Sequence, residues 1–137
     1  FRPPHSSRTH HDGGRENKNT EPTSDRHSVG KAMSTVSVIV RIQLSAESAP
    51  GYAEAAKPVV AATRQEPGCQ WYGIAADVTD PCVIWVSEQW ASQADLDAHL
   101  KTAHVADFLK ACAALEILDM EVRRYEVASV GDLVMPE

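Results

Sequence analysis

Two histidines, His99 and His104, stand five residues apart in the second half of the chain, and the other four all lie before residue 33. Histidine is the side chain most readily poised between proton donor and proton acceptor near neutral pH. Two imidazoles this close together predict a pocket in which a proton moves to or from a ligand. Each also has a purely structural interpretation, because a histidine near a helix end can simply complement the helix dipole.

Paired histidines can also bind a metal ion, but here the spacing argues against it. Five residues turn an α-helix through about 500°, which leaves the two side chains about 140° apart unless the helix breaks between them. No carboxylate and no third histidine stands at an offset from the pair that would complete a set of ligands. The sequence therefore predicts no metal site.

Residues 1–32 differ in composition from the rest of the chain. They are rich in Arg, His, Ser, Gly and Asn and have almost no apolar side chains, so burial cannot offset the entropy of ordering them. We expect a disordered tail or an upstream extension, with Met33 as the start of the protein proper. Residues 33–128 form the predicted single domain, and residues 129–137 form a C-terminal tail.

The charge and cysteine content of this domain narrow its partners and its compartment. Residues 33–137 hold 7 basic and 15 acidic side chains, a surface that repels nucleic acid and anionic membranes. No apolar run reaches the length that a bilayer requires. The odd number of cysteines, without metal-binding or redox spacing, indicates free thiols in a reducing compartment, so we expect a cytoplasmic protein.

The periodicity of apolar residues predicts six elements. Residues 35–44 alternate as a strand, and Tyr52 begins an apolar helix face that recurs to Thr63. Residues 69–77 and 82–90 read as a hairpin. A helix capped by Ser92 and broken near Thr102 follows, and the last strand spans about 117–127.

This order, βαββαβ, predicts an α+β fold of the ferredoxin-like type, with helices on one face of an antiparallel sheet. Several strands carry apolar groups on both faces, as where Trp71 and Tyr72 are adjacent. The helices can cover only one of these faces. We therefore expect a homodimer that packs sheet against sheet.

A series of short motifs runs through the predicted domain: Glu66-Pro67-Gly68-Cys69, Glu88-Gln89-Trp90, Ser92, Leu96, Ala98-His99-Leu100, Thr102, His104 and Phe108. Through these motifs, residues 35–127 resemble the antibiotic biosynthesis monooxygenase superfamily of dimeric α/β barrels, and within it the quinol monooxygenases. The sequence departs from that branch at Ala103, where a proline is usual.

The resemblance implies a monooxygenase that uses neither metal nor flavin. In such enzymes a quinol, anthrone or similar phenol is deprotonated, and its electron-rich anion reduces dioxygen. His99 and His104 are the candidates for proton transfer and substrate anchoring. The candidate substrate-binding residues share an aromatic ring or a charge suited to a phenol pocket: Tyr72, Trp90 and Phe108 as walls, Tyr72 and Arg41 for a developing oxyanion, and Glu88 to orient an imidazole.

Other interpretations stay open. The domain could bind an aromatic ligand, or dimerise, without catalysis; two imidazoles that both face away from a pocket would favour this. An isomerase acting on a phosphorylated compound is less attractive because basic residues are few. Haem-degrading relatives use an asparagine, a tryptophan and an axial histidine where this chain has Val40, His99 and Leu109. The resemblance therefore argues against haem.

Overall fold

The structure is a computed structural model that describes residues 34–137. These residues form four strands and three helices: β1 (Val36–Leu44), α1 (Ala49–Thr63), β2 (Cys69–Asp77), β3 (Asp80–Trp90), α2 (Gln93–Leu100), α3 (Ala103–Cys112) and β4 (Ile117–Glu126). The predicted α+β order is confirmed. The predicted tail, residues 1–32, lies outside the described residues. Residues 129–137 have no helix or strand and are exposed.

The four strands form one antiparallel sheet in the order β2-β3-β1-β4. Side chains alternate between its two faces, so the even-numbered residues of β1 face the helices and the odd-numbered residues face away. Directly opposed residues share a face, and Val38 stands between Glu88 of β3 and Arg124 of β4. The sheet therefore places β3 and β4 side chains around the inner face of β1.

The core lies between this inner face and the helices. Val36, Leu44, Val59 and Trp90 are at most 1% exposed and anchor it. Trp85 and Trp90 lie on opposite faces of β3: Trp85 is 39% exposed on the outer face, whereas Trp90 is fully buried.

The predicted break in the second helical region is also confirmed, and it has a clear local cause. The Ser92 hydroxyl accepts a hydrogen bond from the Asp95 N–H and begins α2. The Thr102 hydroxyl donates to the carbonyl of His99 at 2.7 Å and accepts from the Val105 N–H. One side chain thus ends α2 and begins α3, and the extended backbone of Thr102 keeps the chain from continuing as one helix.

Strand β4 lies at the edge of the sheet, and every one of its residues is exposed. Its inner-face apolar side chains include Met120 and Val122, which are 50% and 58% exposed. The outer face of the sheet exposes Trp71 and Trp85. Among the described helices, none has the length and apolar character needed to cross a bilayer.

Gly68, in the turn between α1 and β2, is expected to be the glycine most sensitive to substitution. Its φ of +82° lies in the left-handed region, and an added Cβ would overlap the Asp95 carboxyl. Gly68→Ala should lower the free energy of unfolding by about 1–2 kcal/mol from the backbone alone, and further because Asp95 must move. Urea unfolding monitored by circular dichroism measures the loss.

Gly73→Ala is the matched control for that experiment. Gly73 lies in β2, its φ is not positive, and nothing lies within 4 Å of an added Cβ. This variant should be as stable as the wild type or slightly more stable, since alanine restricts the unfolded chain. Equal losses in the two variants would contradict the role given to the Gly68 backbone.

Candidate functional site

One carboxylate with little exposure, Glu66, lies within hydrogen-bond distance of both histidines of the domain. Its Oε2 lies 2.6 Å from Nδ1 of His99 and 2.9 Å from Nε2 of His104. The His99 side chain is only 4% exposed, that of Glu66 12%, and that of His104 26%. Glu66 therefore accepts hydrogen bonds from two imidazoles, one in the interior and one that reaches solvent.

Three separate segments bring these side chains together. Glu66 stands in the turn after α1, where its carbonyl accepts from the N–H of Cys69 at 3.2 Å. His99 lies in the last turn of α2 and His104 in the first turn of α3. A continuous helix would point the two imidazoles about 140° apart, so the break at Thr102 is what lets both reach one oxygen.

On its other side, His99 lies against residues of β2 and β3. The Trp90 indole packs 4.6 Å from its ring centroid, and the Tyr72 ring lies edge-on at 5.5 Å. Its Nε2 is 3.7 Å from Oε1 of Glu88, which accepts a hydrogen bond from Nε1 of Trp90 at 3.1 Å. Because Nδ1–H is donated to Glu66, the lone pair of Nε2 is on the Glu88 side of the ring.

His99 and Glu88 line a cavity of about 450 Å³ between the sheet and the helices. Its lining is mostly apolar, with Tyr72 and Phe108 as aromatic walls and Arg124 as the basic group. Leu100 and Leu109, which are 60% and 62% exposed, border the side that is open to solvent. The site thus combines an apolar chamber with a few ionisable groups at its wall.

The structure does not gather all of the predicted site residues here. Tyr72, Glu88, His99 and Phe108 line the cavity. Trp90 is fully buried and contacts His99. His104 contacts the same Glu66 oxygen but does not line this cavity; it borders a separate small cleft lined by Pro58, Val59, Asp107 and Phe108.

Arg41, the predicted oxyanion partner, faces away from the cavity. It lies on the outer face of the sheet, where its guanidinium is 6.0 Å from the centroid of the Trp85 ring. Arg124 lines the cavity instead, and its Nη1 donates to Oε1 of Gln93 at 3.1 Å. The odd position of Arg41 in a strand whose even residues face inward was the available signal. The position of Arg124 at the cavity could be predicted only from the pairing of β4 with β1.

Glu66 is the residue that sequence reasoning missed as part of a site. The argument that no carboxylate accompanies the histidine pair is wrong, because Glu66 approaches from 33 residues earlier in the chain. In the sequence it belongs to the Glu66-Pro67-Gly68-Cys69 motif of the family resemblance, which assigned it no role in a site. Nothing in the local spacing pointed from that turn to the helix break at Thr102.

The model of the antibiotic biosynthesis monooxygenase family matches residues 35–111, more than half of the chain. The chain belongs to this family. Among curated proteins, none matches it.

Solved structures agree with the family assignment. A protein from Deinococcus radiodurans assigned to the antibiotic biosynthesis monooxygenases is 25% identical, with a TM-score of 0.67 over 73% of this chain and 99% of that one. A Bacteroides thetaiotaomicron protein of unknown function, described as a possible oxidoreductase, is 28% identical, with a TM-score of 0.64 over 70% and 100%. A family protein from Caulobacter crescentus, 18% identical with a TM-score of 0.67 over 76% and 99%, shows the shared fold.

Within residues 34–137, Glu66, His99 and His104 also form a group that could hold a metal ion, since their ligand atoms lie within 4.8 Å of one another. Ligands around tetrahedral zinc stand about 3.3 Å apart, given metal bonds of about 2.0–2.1 Å. Both imidazole nitrogens instead contact the same carboxylate oxygen at 2.6 and 2.9 Å. These are hydrogen-bond distances, so the arrangement fits a shared proton acceptor better than a metal centre.

Burial favours the protonated form of two further groups at the cavity wall, Glu88 and Tyr72. Burial raises the pKa of the Glu88 carboxyl, and the hydrogen bond from Trp90 and the nearby His99 offset this only in part. Burial likewise raises the pKa of Tyr72, with the charge of Glu88 adding to the effect. Tyr72 therefore keeps its phenolic proton and can donate a hydrogen bond into the cavity.

The raised pKa of Glu88 predicts a pH-dependent cost to folding in this family member. Because the pKa of Glu88 is higher in the folded protein than in the unfolded chain, the folded state holds this proton more tightly. The contribution of the Glu88 carboxyl to the free energy of unfolding is therefore fully present below the unfolded pKa and is lost as pH rises through the folded pKa. Glu88→Gln removes the ionisation and still accepts from Trp90. The variant should therefore gain stability relative to the wild type between about pH 4 and about pH 7, measured by urea unfolding at both values.

Glu47→Gln provides the control, because Glu47 is an exposed carboxylate in the turn before α1. Its stability relative to the wild type should change little over the same range. A Glu88→Gln variant that loses stability relative to the wild type as pH rises would show that ionised Glu88 supports the fold, contrary to this assignment.

Proposed function

We propose that this chain is a monooxygenase that oxidises a quinol or a polycyclic phenol or anthrone with dioxygen, without a bound metal or flavin. The observation that carries the proposal is the setting of His99. Its Nδ1 is fixed by Glu66, while its ring forms part of the wall of an apolar cavity. An imidazole held in one tautomer beside an apolar chamber is suited to accept a proton from a bound hydroxyl group.

The reaction begins when Nε2 of His99 takes the proton of a phenolic O–H. The resulting anion is electron-rich and supplies the electrons that reduce dioxygen. For a quinol, one oxygen atom enters the ring and the other leaves as water, giving a hydroxyquinone. For an anthrone, a CH₂ group becomes a carbonyl with release of water. In both cases the substrate is the reductant, and no further electron donor is needed.

The other groups that the proposed reaction needs also line the cavity. Its apolar walls exclude water and strengthen each electrostatic contact within. Tyr72 donates a hydrogen bond to negative charge that develops on the substrate, and Arg124 provides a cation near the open side. A volume of about 450 Å³ falls within the usual range for a small-molecule site.

The proposal includes a homodimer in the cytoplasm. The outer face of the sheet carries the exposed side chains of Trp71 and Trp85, which a second copy can cover sheet to sheet. All three cysteines, Cys69, Cys82 and Cys112, are free thiols, as a reducing compartment favours.

A binding module without catalysis is the second candidate. His104 favours it, because this imidazole contacts Glu66 and does not line the cavity. His99 favours the enzyme, because it does line the cavity. The two candidates agree on an aromatic ligand and differ only in whether His99 takes a proton from it.

Oxygen uptake with a panel of hydroquinones and anthrones, corrected for autoxidation, tests the proposal. The wild type, stripped of metal with a chelator, should consume oxygen. His99→Gln should lose about 10²–10⁴-fold in kcat/KM because the general base is gone. With ¹⁸O₂ the product should contain one ¹⁸O atom and two fewer hydrogen atoms than the substrate, because the second oxygen atom leaves as water.

Glu47→Gln, in the exposed turn before α1, is the control, and it should keep the wild-type rate. No uptake above background, together with tight binding of the same aromatic compounds, would instead support the binding module. Uptake that requires an added metal ion or flavin would contradict the cofactor-free chemistry.

A further inference from the structure

Strand pairing places the ionisable residues of the cavity at two separate positions. Val38 of β1 stands directly between Glu88 of β3 and Arg124 of β4, and all three residues line the cavity. Neighbouring strands lie about 4.8 Å apart, so the backbones at Glu88 and Arg124 are about 10 Å apart. His99 is on the Glu88 side, because its Nε2 lies 3.7 Å from Oε1 of Glu88.

The two positions also differ in charge. Two carboxyl groups lie beside His99, those of Glu66 and Glu88, and their side chains are only 12% and 10% exposed. Among the described residues that line the cavity, Arg124 is the only lysine or arginine. A negatively charged group on a ligand is therefore disfavoured beside the two carboxyl groups and favoured at the guanidinium.

We propose that the substrate is a phenol that carries a carboxylate at the opposite end of its ring system, and that Arg124 binds this carboxylate. This inference rests on the proposed function, which places the phenolic hydroxyl group at His99. The ring system then fills the apolar chamber between the two contacts, against Tyr72 and Phe108. A ligand can make both polar contacts only if its hydroxyl and its carboxylate are far apart.

The present contacts of Arg124 leave it able to bind such a group. Its Nη1 donates to Oε1 of Gln93 at 3.1 Å, and its Nη2 lies 3.5 Å from Oε1 of Glu126. The contact with Glu126 is long and both side chains are 44% exposed, so this ion pair contributes little. These contacts use only part of the five N–H donors of a guanidinium, and a carboxylate can accept two of them side by side.

Gln93 holds the guanidinium in place at the cavity. It is the first residue of α2 and lines the same cavity. Its Nε2 donates to Oδ1 of Asp97 at 2.9 Å, while its Oε1 accepts from Arg124. Because both ends of this amide are engaged, Arg124 of β4 is linked to α2 before any ligand arrives. Such ordering lowers the side-chain entropy that is lost on binding.

Calorimetric titration of the full chain under argon tests the proposal without turnover. The probes are 6-hydroxy-2-naphthoate, whose carboxylate is on the ring away from the hydroxyl, and 2-naphthol, which has no carboxylate. The wild type should bind the first about tenfold more tightly, the gain expected from one hydrogen-bonded ion pair. The isomer 3-hydroxy-2-naphthoate, whose two groups are adjacent, should lack this gain. Equal affinity for the first two probes would overturn the proposal.

Variants assign the preference to Arg124. Arg124→Gln should bind both of the first two probes as the wild type binds 2-naphthol, and Arg124→Lys, which keeps the charge, should retain part of the preference. Lys110→Gln removes one positive charge from an exposed position on α3 and should keep the preference in full. An Arg124→Gln variant that binds 2-naphthol normally and still prefers the far-ring carboxylate would overturn the role of Arg124.

Oxygen uptake separates this inference from the proposed function. The quinols 5,8-dihydroxy-2-naphthoate and 1,4-dihydroxynaphthalene share the oxidisable ring, and only the first carries a carboxylate on the other ring. Arg124→Gln should raise KM about tenfold for the first quinol, with little change in kcat and none for the second. Uptake with equal KM for both quinols in the wild type would overturn the inference alone. Absence of uptake with either quinol would contradict the proposed function, and the calorimetric preference would still decide the carboxylate site.

Discussion

The two hydrogen bonds to the Glu66 carboxylate are the interaction on which the site depends. A carboxylate with little exposure is costly to bury unless hydrogen-bond donors compensate its charge, and here two imidazoles do so. The same contacts fix the tautomer of His99 and join α2, α3 and the turn after α1. Removing the carboxylate would therefore affect the fold and the chemistry together. Glutamine at this position keeps the shape but loses the charge, so it separates the two effects.

The inner face of the sheet carries ionisable residues of the candidate site, and the outer face carries none of them. Alternation along β1 and β3 sends Val38 and Glu88 inward and Arg41 and Trp85 outward. One face is covered by helices only in part, because β4 at the sheet edge remains exposed along its length. An apolar chamber bounded on one side by such a strand has a natural opening, and this is where Met120 and Val122 lie.

Local patterns in the sequence predict most of the fold. Alternating residues identify β1, and Ser92 and Thr102 mark the helix starts through their hydroxyl groups. The site is less predictable, because Glu66 contacts two histidines that lie far from it in the sequence. His99 is 33 positions away and His104 is 38 positions away. Neither local spacing nor composition encodes that approach. Nothing in the sequence indicated Arg124, because only the pairing of β4 with β1 shows that Arg124 faces the helices.

Two carboxylates with little exposure near His99 differ in how they are compensated. Glu66 has two imidazoles within hydrogen-bond distance, whereas Glu88 has one indole N–H and an imidazole at 3.7 Å. Burial accordingly raises the pKa of Glu88. Glutamine would satisfy the same indole without any cost of ionisation, so stability alone gives no reason for a carboxyl group at this position. A reason exists if the group at the cavity wall must gain or lose a proton, or must place negative charge beside Nε2 when His99 becomes a cation.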